Sequence, residues 1–276
     1  MERVQHQPGT NQPGRLTAAV EAIAAGRLAI VPTETVYGVA ALASDAKAVK
    51  RLLAVPRAAG AARTPDQCWS WHAPSAERVS GVLGPFSGLH ARIFERLTPG
   101  PVRVIVPSAT VAIAEQRRRA LGVGAGGVDR VGEFIVRIPD HPVCNYVLQR
   151  VDGPVIIERL SAFGLGSGRE LPEDASERAN ALGIAVVLDD GPTRLGRPSS
   201  AIRLADDGGY DVTEEGVLEE RYIRKKLDRV ILFVCTGNTC RSPMAEAIAR
   251  SLTAASGVSP AGLRCTPCAL PSLRRT

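Results

Sequence analysis

Two short stretches of the chain carry side chains whose types and spacing suit chemistry on phosphate. The first is "VCTGNTCRS", in which Cys235 is followed, after five residues, by Arg241 and then Ser242. An apolar run, "VILFV", leads into it, and a helix-forming run, "PMAEAIAR", leads out. Backbone N–H groups of such a loop point inward as a nest for an oxyanion, and the positive end of the following helix adds to the field. That field lowers a cysteine pKa and yields the thiolate needed to attack phosphorus. Arg241 then offers a planar fork to two equatorial oxygens. The second stretch is "VPTETVYGVA", Val31 to Ala40. Thr33, Glu34 and Thr35 place two hydroxyls and a carboxylate at a strand's end, where a following helix offers free N–H groups. Read alone, this stretch also fits an ordinary polar helix cap.

The elements that must hold these residues follow from periodicity. "LTAAVEAIAAG" has helical apolar spacing and stops at Gly26, and "RLAIVPT" reads as a buried strand ended by Pro32. "KAVKRLLAV" is an amphipathic helix, and the Pro, Gly and Ala of residues 56–75 read as loop. "PVRVIVP", "EFIVRIP", "GPVIIERL" and "GIAVVLDD" are four further strands, with helices at "HPVCNYVLQRV" and "DASERANAL". "SSAIRL" and a Gly/Asp turn at "ADDGGYD" follow. Strands alternating with helices predict an α/β (α+β) domain over 15–222, after a disordered segment at 1–14. Residues 223–228 read as a basic linker, 229–264 as a second unit that starts on a new strand, and 265–276 as an irregular tail.

The chain has 276 residues, of which 45% are apolar, an ordinary composition for a globular protein. No run reaches the length of a membrane helix, the N-terminus has no apolar core of a signal peptide, and six cysteines do not make a disulfide framework. A reduced, cytoplasmic chain is expected. The net charge of +6 is uneven: from Arg221 onward ten basic side chains face two acidic ones, Asp228 and Glu246, so the first 220 residues are close to neutral. A polyanion partner, if there is one, is expected at the basic segment.

"VPTETVYGVA" closely resembles the signature of the YrdC-like family, the threonylcarbamoyl-AMP synthases. Further matches come in the family's order: "TPGPVRVIV", "VRIPDHP" and "VVLDDGPTRLGRPSSAIRL". The resemblance covers roughly residues 15–222 and implies a YrdC-like twisted mixed sheet with a concave, positively lined cleft. It implies a nucleotidyltransferase that takes ATP with Mg2+, L-threonine and bicarbonate and releases pyrophosphate. The product, threonylcarbamoyl-AMP, serves tRNA modification, so tRNA or other tRNA-modification proteins are the implied partners. Such chemistry needs reactants held in line and cations where charge develops on phosphates. By position, Thr33 and Tyr37 match the threonine-contacting residues, Arg63 and His72 a Lys-x-Arg motif and the histidine beyond it, Arg137 a phosphate-side arginine, and Ser199 a late serine. The chain departs from the family at Ala61, where the motif has lysine. It departs again at "IERLS", Ile157 to Ser161, in place of a Ser-Thr-Ser-Ala-Asn clamp. There Glu158 and Arg159 are expected to pair with each other. A catalytically idle nucleotide- or RNA-binding module is the alternative that these departures keep open.

"VILFVCTGNTCRSPMAEAIAR" resembles the opening strand, loop and helix of low-molecular-weight protein tyrosine phosphatases. That resemblance makes Cys235 the nucleophile and Arg241 the phosphate grip, with Asn238 and Ser242 ordering the loop. A partial phosphatase βα unit is therefore expected after the first domain. No acidic residue follows Glu246 to protonate a leaving group, so phosphatase turnover is not expected. A rival zinc site built from Cys235, Cys240, Cys265 and Cys268 is disfavoured, because Cys235 ends an apolar strand and Arg241 would face the metal. No bound metal is expected.

Overall fold

The computed structural model describes residues 3–5, 13–61, 68–124, 127–130, 132–235, 241–255 and 263–269. Two compact units divide the chain, Met1–Glu219 and Glu220–Thr276. The first holds an 11-stranded mixed sheet. Its strands are β1 (Arg3–Gln5), β2 (Leu28–Val31), β3 (Gly38–Leu42), β4 (Trp71–His72), β5 (Val102–Val106) and β6 (Asp129–Arg130). They continue with β7 (Glu133–Arg137), β8 (Val155–Arg159), β9 (Ile184–Asp189), β10 (Ser200–Leu204) and β11 (Tyr210–Glu214). The spatial order is β1-β9-β2-β3-β8-β4-β7-β5-β10-β11, with β6 paired to β7. Its helices are α1 (Pro13–Ala24), α2 (Ala46–Ala54), α3 (Ala76–Leu83), α4 (Gly88–Leu97), α5 (Val111–Leu121), α6 (Pro142–Arg150) and α7 (Ala175–Ala181).

Side-chain pattern explains the layers. Every residue of β2 and β3 is buried, as expected of central strands. Along β5, Val102, Val104 and Val106 are buried, while Arg103 and Ile105 share the opposite, partly open face. Leu16, Ala19 and Ile23 form the buried stripe of α1. The Asp45 side chain caps α2 by accepting from the Lys47 N–H at 2.7 Å. Gly38 begins β3 opposite Arg159 of β8. A Cβ at Gly38 would meet Ile157 Cγ2 at 2.4 Å and the Glu158 carbonyl oxygen at 2.8 Å, so only glycine lets the two strands approach here.

Four expectations are corrected. Within 1–14, Arg3–Gln5 pairs in parallel with β9, whose edge offers unpaired backbone groups, and α1 begins at Pro13. Within the loop expected at 56–75, Trp71 and His72 form β4, a two-residue strand bridging β7 and β8. The basic linker expected at 223–228 is instead helical, in α8 (Glu220–Leu227), and its Ile223 and Leu227 are buried one turn apart. Its charge conceals that short apolar seam. Of the irregular tail expected at 265–276, residues 265–269 belong instead to a strand, and 270–276 lie outside the described residues.

The second unit also carries β12 (Arg229–Cys235), α9 (Arg241–Ala255) and β13 (Leu263–Ala269). β12 and β13 pair in parallel, with α9 as the crossover that such a pair requires. Pro267 lies opposite Phe233 in this ladder, and β13 tolerates a residue without an N–H because it is an edge strand.

Candidate functional site

One row of residues crosses six strands of the first unit. Glu214, Ala201, Arg103, Arg137, His72 and Val155 are successive cross-strand partners from β11 to β8. The row places two guanidiniums and an imidazole side by side along a cleft of about 600 Å³. Arg103 forms an ion pair with Glu214 across the small Ala201. Arg137 is 6% exposed and donates through Nη2 to Glu34 Oε1 at 2.9 Å and to Thr35 Oγ1 at 2.7 Å. Among the described residues, Glu34 Oε2 and Arg137 Nε are buried without a hydrogen-bond partner. His72 is buried, and its Nδ1 donates to the Ser70 carbonyl at 3.0 Å, which leaves Nε2 as an acceptor. Burial, reinforced by the Arg137 and Arg103 charges, pushes the imidazole down to about 3. His72 is therefore neutral at physiological pH and does not act as an acid.

The connection from β2 to β3 forms the adjoining wall. Thr33 Oγ1 donates to the Val36 carbonyl at 2.6 Å and accepts the Thr35 and Val36 N–H groups, a tight hydroxyl-centred turn. Tyr37 is fully buried; its hydroxyl donates to the Gly191 carbonyl at 2.7 Å and accepts the Asp190 N–H at 2.8 Å. Burial, together with the Asp189 and Asp190 carboxylates, raises its pKa above the ordinary value. Thr193 Oγ1 donates to the Thr35 carbonyl at 2.8 Å, and the Leu195 N–H donates to the Glu34 carbonyl at 2.9 Å. Residues distant in sequence thus clasp the Thr-Glu-Thr turn.

The structure brings Thr33, Tyr37, His72, Arg137 and Ser199 together as cleft-lining residues. Arg63 lies outside the described residues. Glu158 does not pair with Arg159. Its Oε2 accepts from Trp69 Nε1 at 2.7 Å, and its Oε1 lies 3.5 Å from Arg57 Nη2. Arg57 also donates through Nε to the Ala61 carbonyl at 2.6 Å and lies 5.4 Å over the Phe163 ring. Sequence reasoning missed Arg57, Trp69, Arg103, Arg130 and Glu214 as lining residues. For Arg103 a signal existed, the strict alternation of "VRVIV"; for Arg57, inside an apparent loop, none did. Ser200, neighbour of Ser199, is structural: its hydroxyl donates to the Leu218 carbonyl at 2.7 Å and accepts the Gly216 and Leu218 N–H groups.

In the second unit Cys235 ends β12, Arg241 opens α9 on an exposed position, and Ser242 is buried. The loop between them, with Asn238 and Cys240, lies outside the described residues, as do the side chains of Cys235, Cys265 and Cys268. The strand and the helix expected on either side of a phosphate loop are present, as β12 and α9.

A twisted mixed α/β sheet that presents a cation-lined cleft on one face is the class of protein defined by the first unit. The family model for Sua5/YciO/YrdC, described as "Telomere recombination", matches residues 21–216. The chain belongs to that family. A second model, low molecular weight phosphotyrosine protein phosphatase, matches residues 230–269. The threonylcarbamoyl-AMP synthase of Bacillus subtilis is 26% identical over 220 residues, covering 79% of this chain and 58% of the relative. That of Pyrococcus abyssi is 28% identical over 194 residues, or 70% and 51%. The chain thus spans little more than half the length of these two curated relatives. Over 33 residues it is 58% identical to the phosphatase PtpB of Staphylococcus epidermidis, 24% of that protein. The crystal structure of P. abyssi Sua5 complexed with L-threonine aligns with a TM-score of 0.62 at 20% identity, covering 96% of this chain and 83% of that one. E. coli YciO aligns at 0.59 and 20% identity, covering 80% and 98%. These likenesses establish the fold.

Proposed function

We propose that the first unit is an L-threonylcarbamoyladenylate synthase, converting ATP, L-threonine and bicarbonate to threonylcarbamoyl-AMP and pyrophosphate for tRNA N6-threonylcarbamoyladenosine formation. The observation that carries this reading is the Arg103–Arg137–His72 row beside the clasped Thr33–Tyr37 turn, in a chain of this family. The threonine amine and bicarbonate condense to the carbamate with loss of water; a carbamate oxygen then attacks the α-phosphorus, the bond from that phosphorus to the α,β-bridging oxygen breaks, and pyrophosphate leaves. The protein's part is placement and charge. Arg137, held rigid by Glu34 and Thr35, contributes a fixed positive charge to the floor of the cleft, and its guanidinium cannot deprotonate. Neutral His72 accepts a hydrogen bond and adds no competing proton donor. Thr33, Tyr37, Ser199 and Arg63 are assigned to substrate binding. Magnesium enters as the MgATP substrate complex; among the described residues no three His, Cys, Asp or Glu side chains group as a cation site.

Pyrophosphate release by the purified chain, dependent on both threonine and bicarbonate, is the expected result. ATP binding without release favours a second reading, a nucleotide-binding module without turnover. That reading draws on Glu158, a carboxylate fixed by Trp69 and Arg57 within a cleft meant for anions. No ATP binding at millimolar concentration overturns both. Cys235 and Arg241 are assigned a phosphate-loop role in the second unit. Failure of inorganic phosphate to slow the alkylation of Cys235 overturns that assignment.

A further inference from the structure

Five arginines line the cleft, and a polyanionic ligand meets each of them in a different state of commitment. Arg103 is paired with Glu214, and Arg137 with buried Glu34. Arg57 is shared between the Ala61 carbonyl, Glu158 and the Phe163 ring. Arg130 also has an interaction within the chain. A phosphate must compete with an internal partner to use any of these charges, and a guanidinium paired with a carboxylate brings a charge that repels the ligand. Arg159 differs. Its side chain is exposed at the cleft, and among the described residues it makes no hydrogen bond or ion pair. It ends β8 opposite Gly38, a position with no side chain, so nothing on the facing strand crowds its approach to a ligand.

We propose that Arg159 is the principal phosphate-gripping residue of this cleft, taking the triphosphate of ATP by its bidentate fork. The proposal rests on the synthase reading for its ligand but concerns a residue that the reading itself does not use. It also inverts the expectation that Arg159 is spent on Glu158: Trp69 and Arg57 hold that carboxylate, and the neighbouring guanidinium is left available. One charge-assisted bidentate contact corresponds to roughly tenfold or more in affinity.

Calorimetric titration of the full chain with MgATP and, separately, with inorganic tripolyphosphate tests it. Arg159→Ala is expected to weaken both ligands by roughly tenfold or more, Arg159→Lys to recover part of the loss, and the unfolding midpoint to stay unchanged. Arg150→Ala, which removes an exposed arginine stacked on Tyr146 and absent from the cleft lining, is expected to change neither titration. Wild-type affinity in Arg159→Ala overturns the proposal and leaves the synthase reading standing. A lowered unfolding midpoint with no recovery in Arg159→Lys also overturns it, since the side chain would then be holding the cleft together. Tripolyphosphate binding that depends on Arg159, in a chain that makes no pyrophosphate, supports the proposal while the synthase reading falls. Binding of neither ligand by the wild type overturns both.

Discussion

In the first unit the cleft is assembled from strands far apart in sequence: Arg137 reaches Glu34 across 103 positions, and Trp69 reaches Glu158 across 89. In the second unit the candidate phosphate loop is a single stretch from Cys235 to Arg241, framed by one strand and one helix. A distributed site depends on the whole sheet, so its residues are coupled to stability; a local site depends on one turn and a helix end. Variants at the paired, buried residues of the first unit's cleft should therefore change folding and binding together, exposed Arg159 being the exception, whereas variants at Cys235 and Arg241 should act on reactivity alone.

The largest expected effect is at Arg137. Arg137→Ala leaves Glu34, 1% exposed, buried with no cation, and should destabilise the first unit by about 3–5 kcal/mol. Urea unfolding measures it, and a paired Glu34→Leu, Arg137→Met variant should recover most of the loss. If Arg137→Ala unfolds like the wild type, the site is not coupled to the fold.

His72 gives the pH dependence. Its folded pKa, about 3, lies below the ordinary 6.5. The unfolded chain therefore binds the proton first, and stability is full above about 6.5 and lost as pH falls toward 3. The loss should reach a few kcal/mol at the acid end. His72→Gln should flatten that limb of the unfolding midpoint against pH; an unchanged limb would assign it to other groups.

Gly38→Val should cost roughly 1–3 kcal/mol, because the new side chain meets Ile157 and the Glu158 backbone where β3 and β8 approach. The same variant should weaken MgATP binding, since it moves the end of β8.

Thiol reactivity sharpens the contrast. Burial, with the Glu34 carboxylate, pushes the Cys144 thiol up to about 12, so it should resist alkylation at pH 7. Cys235, at a strand end before a helix, should react at least about tenfold faster. Equal rates by mass spectrometry would mean that the phosphate loop is not formed.

The smallest effect is expected in α8. Arg224→Ala removes an exposed one-turn pair with Glu220 and should change stability by no more than about 0.5 kcal/mol.

Much of the sheet was legible because periodicity survives in single strands. "VRVIV" announces both its buried valines and the face of Arg103, and "LAIV" announces a central strand. The Thr-Glu-Thr turn, His72 and Arg137 were legible only through the order of several motifs. β4 was not legible, since two residues have no period and its identity comes from β7 and β8 on either side. Nor was the partner of Glu158, because adjacency in the chain suggested Arg159 while folding supplied Arg57 and Trp69. α8 was missed because two apolar residues among five charged ones resemble a solvated linker until they are buried.

The strand order has a consequence in time. Central β2 cannot gain its neighbour β9 until the chain has been made as far as Val187, and β5 cannot gain β10 before Ile202. Loop closure over such separations precedes the contacts that reward it, so the first unit should fold slowly, on the scale of milliseconds to seconds. During synthesis β2 and β3 emerge early, and their wholly apolar faces must wait uncovered. Expression at lower temperature or with a chaperone should therefore raise the yield of soluble protein more than any substitution in the cleft.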